Sequence, residues 1–445
     1  MKTEAVVPDP MSLPVVAIIG RPNVGKSTFF NRVLGTRRAV VHDRPGITRD
    51  RNAARAEWAG RTFLLVDTGG FLPAAAAGRE AAVRRQAEAA IEVADVVLFL
   101  VDAHTGPTDL DAAIGNGLRR RGRPCLLVVN KVDKPEDPVA HEFHRLGLGE
   151  PIPIAAEGGT GIGDLLDRVI ALLPAAQEGE DERPRVAIVG RPNVGKSSLV
   201  NALLGEERVI VEPRPGTTLD AIDTPWRSSA GEFTLVDTAG IRRQAQFRDE
   251  AEYFATLRAL QAIERADVVC LVIDAQQGFL RQEARLAHDA LDAGRALLLL
   301  YNKWDLIEGK EERWKALQTE RARRYPTLTD LPALPVSAVT GAHLHRLPRA
   351  IAERMEQMTR AIPTARLNRW LAEVQRARQV PSNRMGRAAR LYYMTQSGKR
   401  PPEFTFFVNG PERLDEAYRR FLWTRFTDHF DFHGTPVRFR FRKSE

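Results

Sequence analysis

Gly20-Arg21-Pro22-Asn23-Val24-Gly25-Lys26-Ser27 follows the apolar run Val15–Ile19. The same eight residues return as Gly190-Arg191-Pro192-Asn193-Val194-Gly195-Lys196-Ser197 after Val186–Val189. Each copy fits Gly-x-x-x-x-Gly-Lys-Ser, a loop between a strand and a helix whose backbone N–H groups converge on phosphate oxygens. The glycines permit the tight turn. Lys26 and Lys196 bring positive charge to the β and γ phosphates, and Ser27 and Ser197 offer a hydroxyl to Mg²⁺. A single match arises by chance in ordinary chains, but two identical copies at an offset of 170 residues, each with further partners in order, do not.

Those partners follow downstream. Asp67-Thr68-Gly69-Gly70-Phe71 is matched by Asp237-Thr238-Ala239-Gly240-Ile241 at the same offset of 170, and Asn130-Lys131-Val132-Asp133 by Asn302-Lys303-Trp304-Asp305 at an offset of 172. In the first motif the Asp reaches Mg²⁺ through a water, and the glycine N–H senses the γ-phosphate. The second motif chooses the base. An ionised carboxylate only accepts hydrogen bonds, and guanine presents two adjacent donors to Asp133 or Asp305. Adenine would leave that carboxylate unpaired, so the nucleotide expected is GTP or GDP rather than ATP.

Around these motifs the chain alternates short apolar runs with longer amphipathic stretches. The strand candidates are Val15–Ile19, Phe63–Val66, Val96–Val101, Leu126–Val129 and Ile152–Ile154, then Val186–Val189, Phe233–Val236, Val268–Ile273, Leu297–Leu300 and Ala333–Val336. Such a pattern predicts an α/β fold: two tandem P-loop GTPase domains, each a mostly parallel sheet with helices on both faces. The expected divisions are an N-terminal tail (1–14), a first GTPase domain (15–173), an acidic linker (174–184), a second GTPase domain (185–360) and a basic domain (361–445). The 445 residues are ordinary for three domains. The linker, small-residue-rich and closed by prolines, is expected to be exposed and mobile.

The net charge of +8 is not spread evenly. Residues Ala361–Glu445 hold seventeen Lys/Arg against eight Asp/Glu, whereas the rest of the chain holds 48 against 49. The order in this region is helix (Thr364–Gln379), strand (Arg390–Gln396), strand (Glu403–Asn409), helix (Pro411–Phe426) and a strand ending in Val437–Arg442, a small α+β domain. Arg384, Arg387, Arg390, Lys399, Arg400, Arg438, Arg440, Arg442 and Lys443 are candidates for neutralising RNA phosphates. No Gly-x-x-Gly loop of the kind that clamps single strands occurs here, so contact with folded RNA through charge and shape is expected. Phe404, Phe406, Phe407 and Phe430 read as core.

The two cysteines, Cys125 and Cys270, lie in apolar runs and read as buried strand thiols. No run approaches the roughly 18 apolar residues of a spanning helix. Met1–Pro14 lacks the basic start and apolar core of a signal peptide. A cytoplasmic protein, monomeric and without a membrane partner, is expected.

Taken together, the motifs resemble those of the translation-factor-related GTPases. The doubled arrangement with a basic C-terminal region resembles the bacterial double-Era-like ribosome-assembly GTPases, the Der (EngA) family. The likeness spans essentially the whole chain and includes Pro45-Gly-Ile-Thr-Arg-Asp50, Pro215-Gly-Thr-Thr-Leu-Asp220 and Phe432-His-Gly-Thr-Pro-Val-Arg438. It implies that Thr48 and Thr218 are switch threonines closing on Mg²⁺ and the γ-phosphate. It implies that the last domain is KH-like, packs between the two nucleotide domains, and joins them in contacting the large (50S) ribosomal subunit and its RNA during assembly.

Many small GTPases place a water-orienting Gln directly after Asp-x-x-Gly; here Phe71 and Ile241 stand there. The resemblance implies another route, a K⁺ beside the phosphates bound by Asn23 and Asn193. The catalytic candidates are then Asn23, Lys26, Thr48, Asn193, Lys196 and Thr218. The copies also differ. Ile154-Ala-Ala-Glu157 stands where the second copy has Val336-Ser-Ala-Val339, and Arg49 where the second has Leu219. Two other functions fit less well. A signalling GTPase recruiting a protein without RNA leaves the basic region unexplained. A tRNA-modifying GTPase would carry a large insertion or a C-terminal reactive Cys.

Overall fold

The computed structural model describes residues 14–35, 53–68, 83, 87–88, 90–91, 94–132, 138–174, 183–206, 223–238, 251–378, 380 and 389–443. The chain divides into two compact units, Met1–Gly179 and Glu180–Glu445. The linker expected at 174–184 lies largely outside the described residues, as do the tail residues 1–13.

In the first unit the elements run β1 (Val15–Ile19), α1 (Lys26–Gly35), β2 (Ala53–Trp58), β3 (Arg61–Asp67), β4 (Val96–Asp102), α2 (Asp109–Arg121), β5 (Cys125–Asn130), β6 (Ile152–Pro153) and α3 (Ile162–Leu172). The sheet order is β2-β3-β1-β4-β5-β6. Every neighbouring pair is parallel except β2 with β3. Side chains alternate across a strand, so apolar runs supply both faces. Val16, Ile18, Leu98 and Leu100 pack on Phe29, Phe30 and Val33 of α1 and on Leu165, Leu166 and Val169 of α3. Ala17, Ile19, Val97, Phe99 and Val101 pack on the opposite side with Ile114 and Leu118 of α2.

The second unit repeats this plan with β7 (Arg185–Val189), α4 (Lys196–Glu206), β8 (Thr224–Ser228), β9 (Gly231–Val236), α5 (Ala251–Arg265), β10 (Val268–Asp274), α6 (Arg281–Asp292), β11 (Ala296–Asn302), α7 (Lys310–Arg324), β12 (Ala333–Pro335) and α8 (Leu347–Thr359). Its order, β12-β11-β10-β7-β9-β8, is the first sheet written in reverse. In both sheets the strand order turns back at the first strand, and the phosphate loop leaves the carboxyl end of that strand at the switch point where open α/β sheets bind ligands.

Two strands escape the sequence reading. β2 buries only Ala56 and β8 only Trp226, so neither shows an apolar run. Each is the antiparallel edge of its sheet.

After the second sheet come α9 (Thr364–Ala377), β13 (Leu391–Lys399), β14 (Pro402–Val408), α10 (Glu416–Phe430) and β15 (Arg438–Lys443). β14 pairs antiparallel with β13 and parallel with β15. One face carries Met394, Phe404, Phe406 and Val408 onto Leu367, Trp370 and Leu371 of α9 and Leu422, Phe426 and Phe430 of α10. The last helix starts later than the sequence suggests. Pro411–Arg413 forms only a short 3-10 turn, and Asp415 caps the helix proper by accepting from Tyr418 N at 2.7 Å. Phe407 is not core. Its neighbours in the strand point inward, so its half-buried ring lies on the other face, stacked on Tyr393 with centroids 4.3 Å apart. Of the two thiols, Cys270 is buried and Cys125, at the start of β5, is half-buried.

This C-terminal module is docked on the second nucleotide domain. Leu297 N donates to Gly434 O at 2.7 Å, Arg354 Nη1 to His433 O at 2.8 Å, and Thr435 Oγ1 to Gln357 Oε1 at 2.9 Å.

Candidate functional site

The phosphate loops are built by backbone conformations that their residues tolerate. Gly20 has φ +146°, and a Cβ there would sit 2.2 Å from Leu100 O; at Gly25, φ +95°, it would sit 2.2 Å from Asn130 Nδ2. Asn23 and Asn193 adopt φ +67° and +63°, a left-handed region that Asn enters more readily than most residues. Lys26 Nζ donates to Gly20 O at 2.8 Å and Arg21 O at 2.6 Å; Lys196 Nζ repeats this with Gly190 O at 2.9 Å and Arg191 O at 2.7 Å. The loop's own carbonyls therefore hold the ammonium. Burial pushes Lys26 down to about 8, with Asp67 opposing and Arg21 adding to the shift. Burial alone pushes Lys196 to about 8. In the first unit Gly20, Pro22, Asn23, Gly25, Lys26 and Ser27 line a cavity of about 360 Å³.

Ser27 Oγ donates to Asp67 Oδ2 at 2.7 Å. A hydroxyl and a carboxylate side by side form the hard oxygen donor set that Mg²⁺ takes when phosphates and waters complete its shell. These residues fit the ion. In the second unit Asp237 stands at the end of β9 with φ +56°, and its N–H donates to Asp223 Oδ1 at 3.2 Å. The neighbouring threonines are engaged elsewhere: Thr68 Oγ1 donates to Ile18 O at 2.9 Å, and Thr238 Oγ1 lies 2.6 Å from Thr224 Oγ1. Among the described residues, no group of three or more His, Cys, Asp or Glu could hold a metal ion on its own.

Asn130 and Asn302, the first residues of the two Asn-Lys-x-Asp motifs, close β5 and β11. Asn130 Nδ2 donates to Val24 O at 2.8 Å and its Oδ1 accepts from Ala156 N at 2.9 Å; Asn302 does the same with Val194 O at 2.9 Å and Ala338 N at 3.0 Å. Each Asn thus ties the phosphate loop to the loop that follows β6 or β12. Val132 and Trp304 send their side chains into the core. In the second copy Ser337 Oγ donates to Asp305 Oδ1 and accepts from Thr340 N at 3.1 Å. Ala155 has no hydroxyl to offer.

Two acids that the motifs do not include also belong to the site. Lys131 Nζ reaches Asp102 Oδ2 at 2.6 Å, and Lys303 Nζ reaches Asp274 Oδ2 at 2.7 Å. Burial raises the Asp274 carboxyl, but the Lys303 ammonium and the backbone N–H groups of Gln276 and Gln277 outweigh it and leave it low. Their signal in the sequence is the offset of 172, shared with Asn-Lys-x-Asp. Thr48, Gly69, Gly70, Phe71, Asp133, Thr218, Ala239, Gly240 and Ile241 lie outside the described residues, as do Arg49, Leu219, Arg384 and Arg387. In the C-terminal module Arg390, Lys399, Arg400, Arg440, Arg442 and Lys443 are exposed, Arg438 is half-buried, and Arg440 pairs with Glu403 at 2.8 Å.

The family description "50S ribosome-binding GTPase" matches residues 15–131 and again 185–303. "KH-domain-like of EngA bacterial GTPase enzymes, C-terminal" matches 361–442. GTPase Der of Moorella thermoacetica is 48% identical over 436 residues, covering 97% of this chain and 99% of that one. The chain belongs to the GTPase Der family. GTPase Der of Lactobacillus acidophilus is 46% identical, covering 97% of this chain and all of its own. The solved structure of Era in complex with MgGDPNP and nucleotides 1506–1542 of 16S ribosomal RNA is 18% identical, covers 58% of this chain and 92% of that one, and has a TM-score of 0.28, too slight a likeness to carry an argument. As a Der protein the chain is a GTP hydrolase of a ribosome-assembly family, with two P-loop GTPase domains and a KH-like C-terminal domain. Among the described residues no helix is long and apolar enough to cross a membrane.

Proposed function

We propose that this chain hydrolyses GTP to govern its docking on the large ribosomal subunit during that subunit's maturation, in the cytoplasm and as a monomer. The observation that carries the reading is the union of a nucleotide site with a cationic module in one compact unit. The KH-like domain is hydrogen-bonded to the second GTPase domain through Gly434, His433 and Thr435. It presents Arg390, Lys399, Arg400, Arg442 and Lys443 to solvent. Exposed cations in such number suit RNA phosphates.

Each nucleotide site works with the same parts. The loop N–H groups and Lys26 or Lys196 bind the β and γ phosphates. Ser27 and Asp67, or Ser197 and Asp237, would hold Mg²⁺, which supplies charge neutralisation on the transferred phosphoryl group. Thr48 and Thr218 close over the γ-phosphate. Asp133 and Asp305 accept from guanine. Asn23 and Asn193 would hold K⁺, whose charge substitutes for an arginine finger. Loss of the γ-phosphate releases the switch segments and shifts the population between docked and free states.

The test is cosedimentation with large subunits in GTP analogue against GDP, across a salt series, for the parent and for Lys26→Ala and Lys196→Ala separately. Binding is expected to require the analogue, to fall steeply with salt, and to fail in at least one variant. Subunit binding indifferent to nucleotide and to both substitutions would refute the proposal.

A further inference from the structure

The phosphate-loop arginine is held in both copies by an acid with no exposed side-chain surface. Arg21 Nε donates to Asp111 Oδ1 at 2.9 Å and Oδ2 at 3.0 Å, and its Nη2 donates to Thr105 Oγ1 at 2.8 Å. Arg191 Nε donates to Glu283, and its Nη2 donates to Gln277 Oε1 at 2.9 Å. The Asp111 and Glu283 side chains are 0% exposed. A buried carboxylate without a cation is costly, so the pair is constrained from both sides.

The same contact is made by different residues. Thr105 and Asp111 recur as Gln277 and Glu283, each at the offset of 172. Asp111 is shorter and sits in a capping box, accepting from Thr108 N at 3.0 Å and Thr108 Oγ1 at 2.8 Å. Glu283 is longer and faces Leu280, from whose N–H it accepts at 3.2 Å. In both copies the acid accepts from the N-cap N–H and from the loop arginine; only the Thr108 hydroxyl bond has no counterpart at Leu280. Each acid therefore does two things at once, closing the helix start and holding the loop arginine, and both are kept although the residue changes from Asp to Glu.

The arginine leads directly to the phosphate-binding lysine, because the Arg21 and Arg191 carbonyls accept from Lys26 and Lys196. It also leads to the base-reading motif. In the second copy Lys303 bonds Asp274, Gln277 Nε2 reaches Asp274 Oδ2 at 3.4 Å, and the same Gln accepts from Arg191. In the first copy Lys131 bonds Asp102, Thr105 Oγ1 donates to Asp102 O at 3.3 Å and accepts from Arg21.

We propose that Asp111 and Glu283 are positioning residues for phosphate recognition: each fixes the loop arginine, whose carbonyl aims the lysine at the phosphates. The inference rests on the reading of both loops as GTP sites.

The test uses the full chain carrying Lys196→Ala, so that the first site reports alone. Binding of GDP by this parent establishes the site itself; no binding would fail the nucleotide reading rather than the positioning one. Arg21→Lys keeps a countercharge beside Asp111 but lacks the planar fork that reaches Asp111 through Nε and Thr105 through Nη2 together, and Asp111→Asn removes the charge. Each is expected to weaken GDP about tenfold while leaving GMP within twofold, because the lysine serves the β and γ phosphates. Thr105→Gln with Asp111→Glu installs the pair of the second site and is expected to keep GDP within twofold of the parent. GDP affinity unchanged in both single variants, or GDP and GMP weakened alike, would overturn the proposal. If a single variant fails to fold, the swap decides: a tenfold loss there overturns it.

Discussion

The side-chain amide of Asn302 donates to the Val194 carbonyl at 2.9 Å, joining the Asn-Lys-x-Asp motif to the phosphate loop through one buried residue. Its oxygen meanwhile accepts from Ala338 N. Asn302→Ala removes both bonds and strands two backbone groups, a cost of about 2–3 kcal/mol. Urea unfolding of the nucleotide-free protein should show the second unit failing earlier and the first unit unmoved. Asn130→Ala should reverse the pattern, since Asn130 bonds Val24 and Ala156 in the same way. Identical midpoints for parent and variants would contradict the assignment.

Ser337 gives the second site a bond to Asp305 that Ala155 does not provide in the first. Asp305 is exposed enough for water to compensate partly, so Ser337→Ala is expected to weaken GDP at that site by about fivefold, near 1 kcal/mol. Ala155→Ser should tighten the first site by a similar factor. Titration with a fluorescent GDP, one site at a time, reads both. Unchanged GDP affinity in both variants would show that the Ser337–Asp305 bond adds nothing to nucleotide binding.

Lys26 and Lys196 sit at about 8 without nucleotide. Phosphate stabilises the ammonium and raises that value again, so binding takes up protons wherever the free lysine is partly neutral. The affinity for GDP should hold below pH 8 and fall as pH rises through it, by up to about tenfold per pH unit. Calorimetry in two buffers of different ionisation enthalpy at pH 8.5 should report proton uptake, lost at the altered site in each Lys→Ala variant. Proton release, or affinity flat to pH 9.5, would contradict the burial argument.

How much of this was legible in the sequence follows from what each feature asks of its residues. Strands buried on both faces need apolar residues at every position, so β1, β4, β7 and β10 could be read to within one residue. β2 and β8 bury one side chain each and left no run to read. The phosphate loops were legible because positive φ and close backbone approach demand Gly and Asn at fixed spacing. The Arg21–Asp111 tether was not, because its partners are 90 residues apart and the two copies use an Asp and a Glu. Only the fold brings them together. The half-buried stack of Phe407 on Tyr393 was hidden for a related reason: alternation along β14 sets which face a side chain takes, and composition does not.

K⁺ dependence follows from the proposal that Asn23 and Asn193 carry the ion. Hydrolysis in K⁺ should exceed that in Na⁺ by at least about tenfold, the scale of a charge aimed at the developing phosphate negative charge. Asn23→Gly retains the φ of +67° while deleting the side chain. It is expected to erase the K⁺ advantage at the first site, measured with the second disabled by Lys196→Ala. Equal rates in the two salts for the parent would end the idea.

Gly434 makes the sharpest demand in the joint between the second GTPase domain and the KH-like domain. Its φ is +71°, and a Cβ there would stand 2.4 Å from Pro332 Cδ and 2.9 Å from Leu297 O. Its carbonyl accepts from Leu297 N at the start of β11, so it cannot retreat without losing that bond. Gly434→Ala therefore combines left-handed backbone strain with a clash against backbone and a proline ring, together about 2–4 kcal/mol. Most of that cost can be escaped by undocking, because the hydrophobic core of the KH-like domain is its own. Calorimetry should show the transition of the second unit split in two, the KH-like part melting first. A change of stability with the transition still single would mean that the two domains fold as one body whatever Gly434 contributes. Ribosome binding then discriminates further. If the union of cations and nucleotide site is what makes docking depend on GTP, the undocked variant should still bind large subunits through its exposed arginines but lose the difference between GTP analogue and GDP.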